Sequence, residues 1–250
     1  MTQHIQVLLE DNHLLGVLKP AGLLAQGDRT GDPTALAQAR AYIKERYAKP
    51  GDVYLGLVHR IDRPVSGVMV FARTSKAASR LARAFHDRVV EKCYLAVVVG
   101  SMPDDTGELS GFIERTHTRS RMAAADGPRA REASLEYRVL ARSELTLPTR
   151  DRRRKAPARM VSLVEINPRT GRHHQIRLQF SAAGFPLLGD LKYRAPEPLP
   201  ERAIALHAAR LRFPHPVGGE TVELAAAPPD VIPWTLFGAA IARWLNSPAP

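Results

Sequence analysis

A carboxylate flanked by two arginines is the part of this 250-residue sequence most able to do chemistry. Asp62 lies between Arg60 and Arg63, followed at once by Pro64 and then Gly67. Opposite charges this close favour the ionised carboxylate. An ionised Asp held in one place is a candidate nucleophile or general base. A surface ion pair is the commoner origin of such a pattern, but the Pro and Gly restrict this segment and favour a functional interpretation.

A buried strand is predicted to position this carboxylate. Residues Val68–Ala72 form a short apolar run rich in branched side chains, which is typical of a core strand. Pro64 cannot donate a hydrogen bond to a sheet and biases Arg63 towards an extended conformation. Asp62 is therefore expected on a loop at the mouth of a core strand.

The spacing of apolar residues predicts the other elements of a mixed α/β, or α+β, protein. The predicted strands are a hairpin of Ile5–Leu9 and Leu14–Leu18, followed by Glu91–Gly100, Ala133–Leu140, Met160–Ile166 and Val222–Leu224. The predicted helices cover Pro33–Ala48, a segment that begins at a cap at Ser75, Arg172 to near Gly184, and a C-terminal packing helix over about 229–246. Residues 102–128 are rich in turn signals and are predicted to be mostly loop.

Charge and cysteine content limit the class of protein. The sequence has 36 Lys and Arg against 25 Asp and Glu, a net charge of +11, which attracts nucleic acid first and anionic membranes second. No apolar run approaches the roughly 20 residues that span a bilayer, and the N-terminus lacks signal-peptide features. A single Cys, Cys93, excludes an internal disulfide and a cysteine-based zinc site. These features predict a cytoplasmic, nucleic-acid-associated protein.

Two other basic features keep alternative interpretations open. The tract at 150–155, RDRRRK, is either a solvated loop or a clasp for RNA phosphates. Lys19, in the segment KPAG, is either a phosphate ligand or a solvated turn lysine.

From strand spacing alone, Tyr94 would be a half-buried strand residue.

Several motifs, in order, resemble those of RNA pseudouridine synthases of the RluA type. The matching segments are EDNHLLGVLKPAGLL, HRIDRPVSGVMVFART, EKCYLAVVVG, TGRHHQIRLQFSAAGFPLLGDLKY and LHAARLRFPHP, which span about residues 5–216. The resemblance implies a single catalytic domain over residues 1–250. Its expected fold is a large, mostly antiparallel bent sheet flanked by helices, with a central active-site cleft. Family members often carry an N-terminal S4-type RNA-binding domain, and the early start of the motifs predicts that this one has none.

The resemblance also implies roles for individual residues. Asp62 would be the catalytic carboxylate, Tyr94 would lie against the target base, and Arg177 would pair with Asp62. The substrate-binding residues would be Arg60, which fills the space left by the flipped nucleotide, Arg63, which binds phosphate, Leu206, which lines the pocket, and His59 and Lys19.

Three residues depart from the usual motifs. Val65 stands where Thr is usual before Ser-Gly, His173 replaces Thr, and Gln179 stands where His is common. These departures bear on which RNA the protein modifies and how fast, more than on the type of reaction. The pair His173–His174 is not expected to bind metal, because adjacent helical residues point in different directions and no Cys or acidic ligand set accompanies them.

The predicted activity is the isomerisation of specific uridines in structured ribosomal or transfer RNA to pseudouridine, by a monomer without metal or cofactor. None is expected because the reaction involves no redox step, group transfer or hydrolysis. Whether Asp62 attacks C1′ or acts as a base stays open. One alternative is a non-catalytic RNA-binding protein that has kept the fold. Another is a nucleic-acid glycosylase using Asp62, which would need a second, water-activating acid.

Overall fold

The computed structural model describes residues 5–116, 119–147 and 158–247. The basic tract at 150–155 therefore lies outside the described residues. The described part contains four helices, which are α1 (Ala35–Arg46), α2 (Ser75–His86), α3 (Gln175–Ala182) and α4 (Gly238–Asn246). Its strands are β1 (Gln6–Glu10), β2 (Leu14–Lys19), β3 (Gly56–Leu57), β4 (Ser66–Ala72), β5 (Glu91–Val99), β6 (Thr106–Arg115), β7 (Ser120–Ala123), β8 (Arg131–Leu145), β9 (Arg159–Pro168), β10 (Leu206–Pro214) and β11 (Thr221–Ala225).

The chain divides into two compact units. The first contains residues 1–93 and 207–226, and the second contains residues 94–206 and 227–250. The single catalytic domain over residues 1–250 stays a prediction.

In the first unit, the predicted hairpin and the predicted core strand are both confirmed. Strands β1 and β2 pair antiparallel, β2 pairs with β4, and β10 lies parallel to β4 with His207 opposite Ser66. Every residue of β4 is buried, as its apolar run predicted. One face of this sheet packs on α2, whose Ala77 and Leu81 join Val70 in the core cluster. The loop that carries Asp62 therefore ends at a rigid strand.

The helices of the first unit begin at threonine caps. The Thr34 hydroxyl accepts a hydrogen bond from the Ala37 amide at the start of α1, at 3.0 Å. The Thr74 hydroxyl does the same for the Ala77 amide of α2, at 3.1 Å. The predicted cap at Ser75 was therefore one residue too late. Thr74 holds the extended conformation that a cap requires, whereas Ser75 is already helical.

In the second unit, the prediction of mostly loop over residues 102–128 was wrong for Thr106–Arg115 and Ser120–Ala123. Strands β5, β9, β8, β6 and β7 form an antiparallel sheet in that order, so this stretch contributes two strands. Gly107 has a packing role in this sheet. A Cβ on Gly107 would lie 2.6 Å from the Tyr137 hydroxyl oxygen on the paired strand, so only glycine leaves room for that ring.

The two remaining helices are shorter than predicted. Residues 229–233 are not helical; a 3₁₀ turn at Trp234–Phe237 leads into α4. Helix α3 begins at Gln175 because His174 before it has a left-handed backbone, with φ 55°. The α+β class is confirmed, and no helix among the described residues is long and apolar enough to cross a membrane.

Candidate active site

The Asp62 side chain is half-buried on a tight turn between β3 and β4. Its backbone carbonyl accepts a hydrogen bond from the Val65 amide at 3.1 Å, which closes a four-residue turn. Ile61 and Val65 are buried on either side, with 7% and 2% of their surface exposed. These two anchors and the closed turn fix the backbone from which the Asp62 carboxylate projects.

A buried ammonium group joins this turn to the preceding loop. The Nζ of Lys19 donates hydrogen bonds to the carbonyl oxygens of Pro20 at 2.8 Å, Leu23 at 2.7 Å and Arg63 at 3.3 Å. Lys19 is fully buried. The solvated-turn interpretation of this residue was therefore wrong. A phosphate contact by Lys19 stays a prediction.

Burial changes the titration of Lys19. Loss of water around the ammonium lowers the pKa of Lys19 from 10.5 to about 7. The negative charge of Asp62 acts in the opposite direction, and the positive charge of Arg63 adds to the lowering. The Asp62 carboxylate thus stabilises a buried cation beside it, which is the kind of coupling found at functional sites.

Arg63 completes the junction between the two loops. Its Nε donates to the Gly22 carbonyl at 3.0 Å, while the Gly22 amide donates back to the Arg63 carbonyl at 2.8 Å. Its guanidinium also forms an ion pair with Asp32 at 2.7 Å. Since both side chains of that pair are nearly half exposed, a phosphate could compete with Asp32. The predicted phosphate contact of Arg63 stays a prediction. So does the role of Arg60 in filling the space of the flipped nucleotide; the Arg60 side chain is exposed.

The His59 ring joins strand β4 to helix α2. Its Nε2 accepts a hydrogen bond from the Val70 amide of β4 at 3.0 Å, and its ring stacks on Phe85 of α2 at 4.7 Å between centroids. Burial lowers the pKa of His59 to about 3, so the ring is neutral. A substrate contact by His59 stays a prediction, but the ring's described bonds go to the sheet and α2.

A second buried histidine connects the Asp62 motif to β10. The Nδ1 of His207 lies 2.8 Å from the Ser66 hydroxyl, and its Nε2 lies 3.1 Å from the Ala226 carbonyl. Because a carbonyl only accepts, Nε2 must carry the proton and Nδ1 must accept from Ser66. Burial lowers the pKa of His207 to about 4, which keeps this arrangement neutral. Neither residue was among the predicted site residues.

In the second unit, Arg177 is paired with an aspartate that was not among the predicted site residues. Its Nε and one terminal nitrogen bind the two carboxylate oxygens of Asp190 at 2.7 and 2.8 Å. Arg177 and Asp190 are 5% and 1% exposed. The guanidinium also lies over the Tyr193 ring, 5.2 Å from its centroid. A bidentate, buried pair of this kind holds the guanidinium in one orientation.

The loop before α3 is fixed by Gln175. Its side-chain oxygen accepts from the Thr170 hydroxyl at 2.7 Å and the Arg172 amide at 3.0 Å. Its side-chain nitrogen donates to the Ser134 carbonyl at 3.0 Å. Gln179, one of the three departures from the motif, donates to two carbonyls on β6 and β8, so here it joins neighbouring strands.

His173 and His174 are not helical, which corrects the argument that they point apart. They precede α3, and their rings stack with centroids 3.7 Å apart. His173 bonds to Ser120, and His174 bonds to the Tyr193 hydroxyl at 2.8 Å. Among the described residues, no group of three or more His, Cys, Asp or Glu side chains is arranged to hold a metal ion.

Tyr94 and Leu206 complete the set of predicted site residues. Tyr94 is half-buried on β5, opposite Ile166 of β9. Leu206 is 3% exposed, at the start of β10. Their contacts with a base or a pocket stay predictions.

Comparison with known proteins identifies the class to which these motifs belong. The family model described as RNA pseudouridylate synthase matches residues 13–182, which is more than half of the chain. The chain therefore belongs to the RNA pseudouridylate synthase family. Within it, the chain is of the RluA type, as its curated relatives show.

Three of these relatives are bacterial enzymes. The dual-specificity RNA pseudouridine synthase RluA of Haemophilus influenzae is 33% identical over 225 residues, which cover 89% of this chain and 93% of the relative. Ribosomal large subunit pseudouridine synthase D of Zymomonas mobilis is 32% identical, covering 90% and 70%. The tRNA pseudouridine synthase C of Salmonella typhimurium is 31% identical, covering 89% and 85%.

Solved structures agree on the fold. The human RNA pseudouridylate synthase domain containing 1 aligns with a TM-score of 0.73, covering 100% of this chain and 98% of that one. At 24% sequence identity, this likeness concerns the fold alone. It confirms the predicted family fold class.

Proposed function

We propose that the protein isomerises one or more uridines in structured ribosomal or transfer RNA to pseudouridine, with Asp62 as the catalytic carboxylate. Family membership carries the reaction class, and the names of the relatives, which include ribosomal and transfer RNA enzymes, support RNA of these two kinds as substrate. The net charge of +11 favours a polyanionic substrate.

The reaction breaks the bond between uracil N1 and ribose C1′ and joins C5 of the same base to C1′. The target uridine must first leave its stack, at a cost of about a few kcal/mol. An ionised carboxylate must then lie near C1′, and the detached base must be held while it turns. The atoms of substrate and product are the same, so the chain's own side chains have only to bind, orient and move protons.

Asp62 is proposed to meet the demand at C1′. A carboxylate beside an anomeric carbon stabilises developing positive charge or forms a covalent adduct, as in glycoside hydrolysis. The neighbouring Lys19 side chain and the closed turn support an oriented carboxylate at this position. Both attack at C1′ and deprotonation of the sugar fit this role.

The roles of Tyr94 and Arg177 rest on the motif match. We propose that Tyr94 stacks on the detached base, and that Arg177 pairs with Asp62 in addition to its bond with Asp190. Leu206 is proposed to line the pocket and Arg60 to fill the space of the flipped nucleotide. The monomeric state and the cytoplasmic location also stay predictions.

Mapping pseudouridine by mass in total cellular RNA tests this proposal. Cells lacking the gene are compared with cells carrying it back as the intact protein, as Asp62→Asn, or as Asp52→Asn. Asp52 is an exposed carboxylate of the same unit and serves as the charge-matched control. The expected result is a site lost on deletion, restored by the intact protein and the control, and absent with Asp62→Asn.

Two results would contradict the proposal. A site restored in full by Asp62→Asn would remove Asp62 from the chemistry. No pseudouridine change on deletion, together with retained RNA binding, would favour the non-catalytic RNA-binding alternative.

A further inference from the structure

The solvent-facing side of α2 carries cations at helical spacing. Lys76, Arg80 and Arg83 are exposed, and residues four and seven positions apart lie on one helix face. The opposite face buries Ala77 and Leu81 in the core. Helix α2 contains no Asp or Glu, so its own sequence does not neutralise this stripe.

The helix ends on an arginine in a conformation that favours glycine. The Val89 amide donates to the Ala84 carbonyl at 3.0 Å, and the Arg88 amide donates to the Phe85 carbonyl at 3.3 Å. This pair of bonds defines a Schellman ending, in which the residue at the Arg88 position is usually Gly. Arg88 has φ 60°, in the left-handed region. An arginine that persists in a strained conformation points to a use for its side chain.

This end of α2 lies against the Asp62 loop. Phe85, in the last turn, stacks on His59 with an interplanar angle of 18°, and His59 is three residues before Asp62 in the chain. The positive charge of Lys92 lowers the pKa of His59, and the positive charge of Arg88 lowers the pKa of Lys92. These three side chains therefore interact electrostatically in sequence. Arg88 is therefore part of a cationic region that adjoins the proposed catalytic carboxylate.

The nearby acidic groups have other partners. The Asp87 carboxylate lies 2.9 Å from His86, and Glu91 lies 3.5 Å from Arg212. Arg80 donates to the Pro216 carbonyl.

Among the described residues, Lys76, Arg83 and Arg88 form no ion pair with an acidic side chain. From Lys76 to Arg83, seven residues of helix span about 10 Å, which is close to the Debye length of roughly 8 Å at physiological ionic strength. Neighbouring charges along this stretch therefore reinforce one another.

We propose that Lys76, Arg83 and Arg88 form a basic track, the α2 track, that binds the phosphodiester backbone of the substrate RNA beside the target uridine. The inference rests on the proposed function, because that function makes RNA the substrate. Arginine suits this role, since its planar guanidinium binds phosphate oxygens in pairs. Phosphate contacts fix the register of the RNA without reading its sequence. The α2 track thus positions the strand that leads into the Asp62 site.

Three single variants test the α2 track. Arg88→Gly removes the charge and relieves the backbone strain, Arg88→Lys keeps the charge, and Arg40→Gln removes an exposed cation from α1 of the same unit as the matched control. RNA affinity is measured at several salt concentrations with two probes, an unmodified large-subunit rRNA transcript and an unmodified tRNA transcript pool. Melting temperature and pseudouridine formation are measured on the same samples.

The expected signature is a more stable protein that binds RNA less well. Arg88→Gly should raise Tm by about 2–4 °C and weaken RNA binding about threefold to tenfold near physiological salt. The slope of log Kd against log[salt] should fall by about 0.7–0.9, the value for one phosphate contact. Arg88→Lys should keep the slope of the intact protein, and Arg40→Gln should change neither slope nor Tm.

Two outcomes would overturn the α2 track. One is an unchanged salt slope in Arg88→Gly. The other is an equal loss of slope in Arg88→Gly and Arg40→Gln, which would show attraction by net charge alone. Failure of the proposed function gives a different result, because the intact protein would then form no pseudouridine in either probe, whatever its salt slope.

Discussion

Replacing the buried Lys19 with Met should change how the stability of the protein depends on pH. The Lys19 ammonium has lost its water and gains three carbonyl hydrogen bonds and the field of Asp62 in return. These interactions compensate only in part, because its pKa in the folded protein is about 7 against an ordinary 10.5. Met has a similar length and does not titrate.

The sign and size of the effect follow from proton linkage. Between pH 7 and 10.5, the unfolded chain keeps a proton on Lys19 that the folded protein has released. Stability therefore rises with pH in this window, by up to about 1.4 kcal/mol per pH unit. From pH 7.5 to 9.5, this one group should add roughly 2–3 kcal/mol to the intact protein. For a chain of this length, that is a gain of about 4–10 °C in Tm relative to Lys19→Met.

The assay is thermal unfolding of the intact protein and Lys19→Met at pH 7.5, 8.5 and 9.5. The difference in Tm between the two proteins cancels every other titrating group and should grow with pH. Lys44→Met, at an exposed lysine on α1, is the matched control and should give a constant difference. Lys19→Gln gives a second non-titrating variant that keeps hydrogen-bond donors for the carbonyls. A difference between the intact protein and both Lys19 variants that stays constant across pH would refute the reasoning.

Two further substitutions test the contacts that hold the site, each with a control. Asp190→Asn leaves a buried guanidinium without its carboxylate and should cost about 3–5 kcal/mol in urea unfolding, whereas Asp32→Asn, in an exposed pair of equal length, should cost under about 1 kcal/mol. Equal losses would contradict the role of burial. Gly67→Ala places a Cβ 2.4 Å from the β10 backbone at φ 135° and should abolish soluble expression, while Gly22→Ala, in open space at φ 84°, should cost only about 1 kcal/mol. Soluble, stable Gly67→Ala would contradict this packing.

Sequence reasoning succeeded where burial alone determines the pattern. All seven residues of β4 are buried, so its apolar run could be recognised as a core strand from the sequence alone. The helix predicted after this strand is also present as α2, and its buried residues are Ala77 and Leu81. In β4, the local pattern of apolar residues and the tertiary environment agree.

Sequence reasoning failed where long-range strand pairing overrides the local turn signals. The stretch Thr106–Arg115 contains two glycines and several polar residues, and it reads as loop. It is a strand because it pairs over its length with β8, and Gly107 is required by the Tyr137 ring of that strand. No pattern within ten residues shows such a requirement, since the constraint comes from residues about 30 positions away.

The hydrogen-bond partners of the site residues could not be predicted from the sequence either. Arg177 and Asp190 are 13 residues apart, a separation that fits no helical or strand spacing. Ser66 and His207 are 141 residues apart and meet because β4 and β10 run parallel. The resemblance implied Asp62 as the partner of Arg177, and the pair with Asp190 was identified only from the fold.

The opening motif and the Asp62 motif are best understood as one structural unit. Lys19 and Gly22 both bond to the Arg63 carbonyl, and the Arg63 side chain returns a bond to the Gly22 carbonyl. The turn that follows Asp62 is therefore held from the opposite loop at three points. Since a carboxylate proposed to act at C1′ must be fixed to a fraction of an ångström, Lys19 would contribute to the proposed site by holding the backbone of the Asp62 turn.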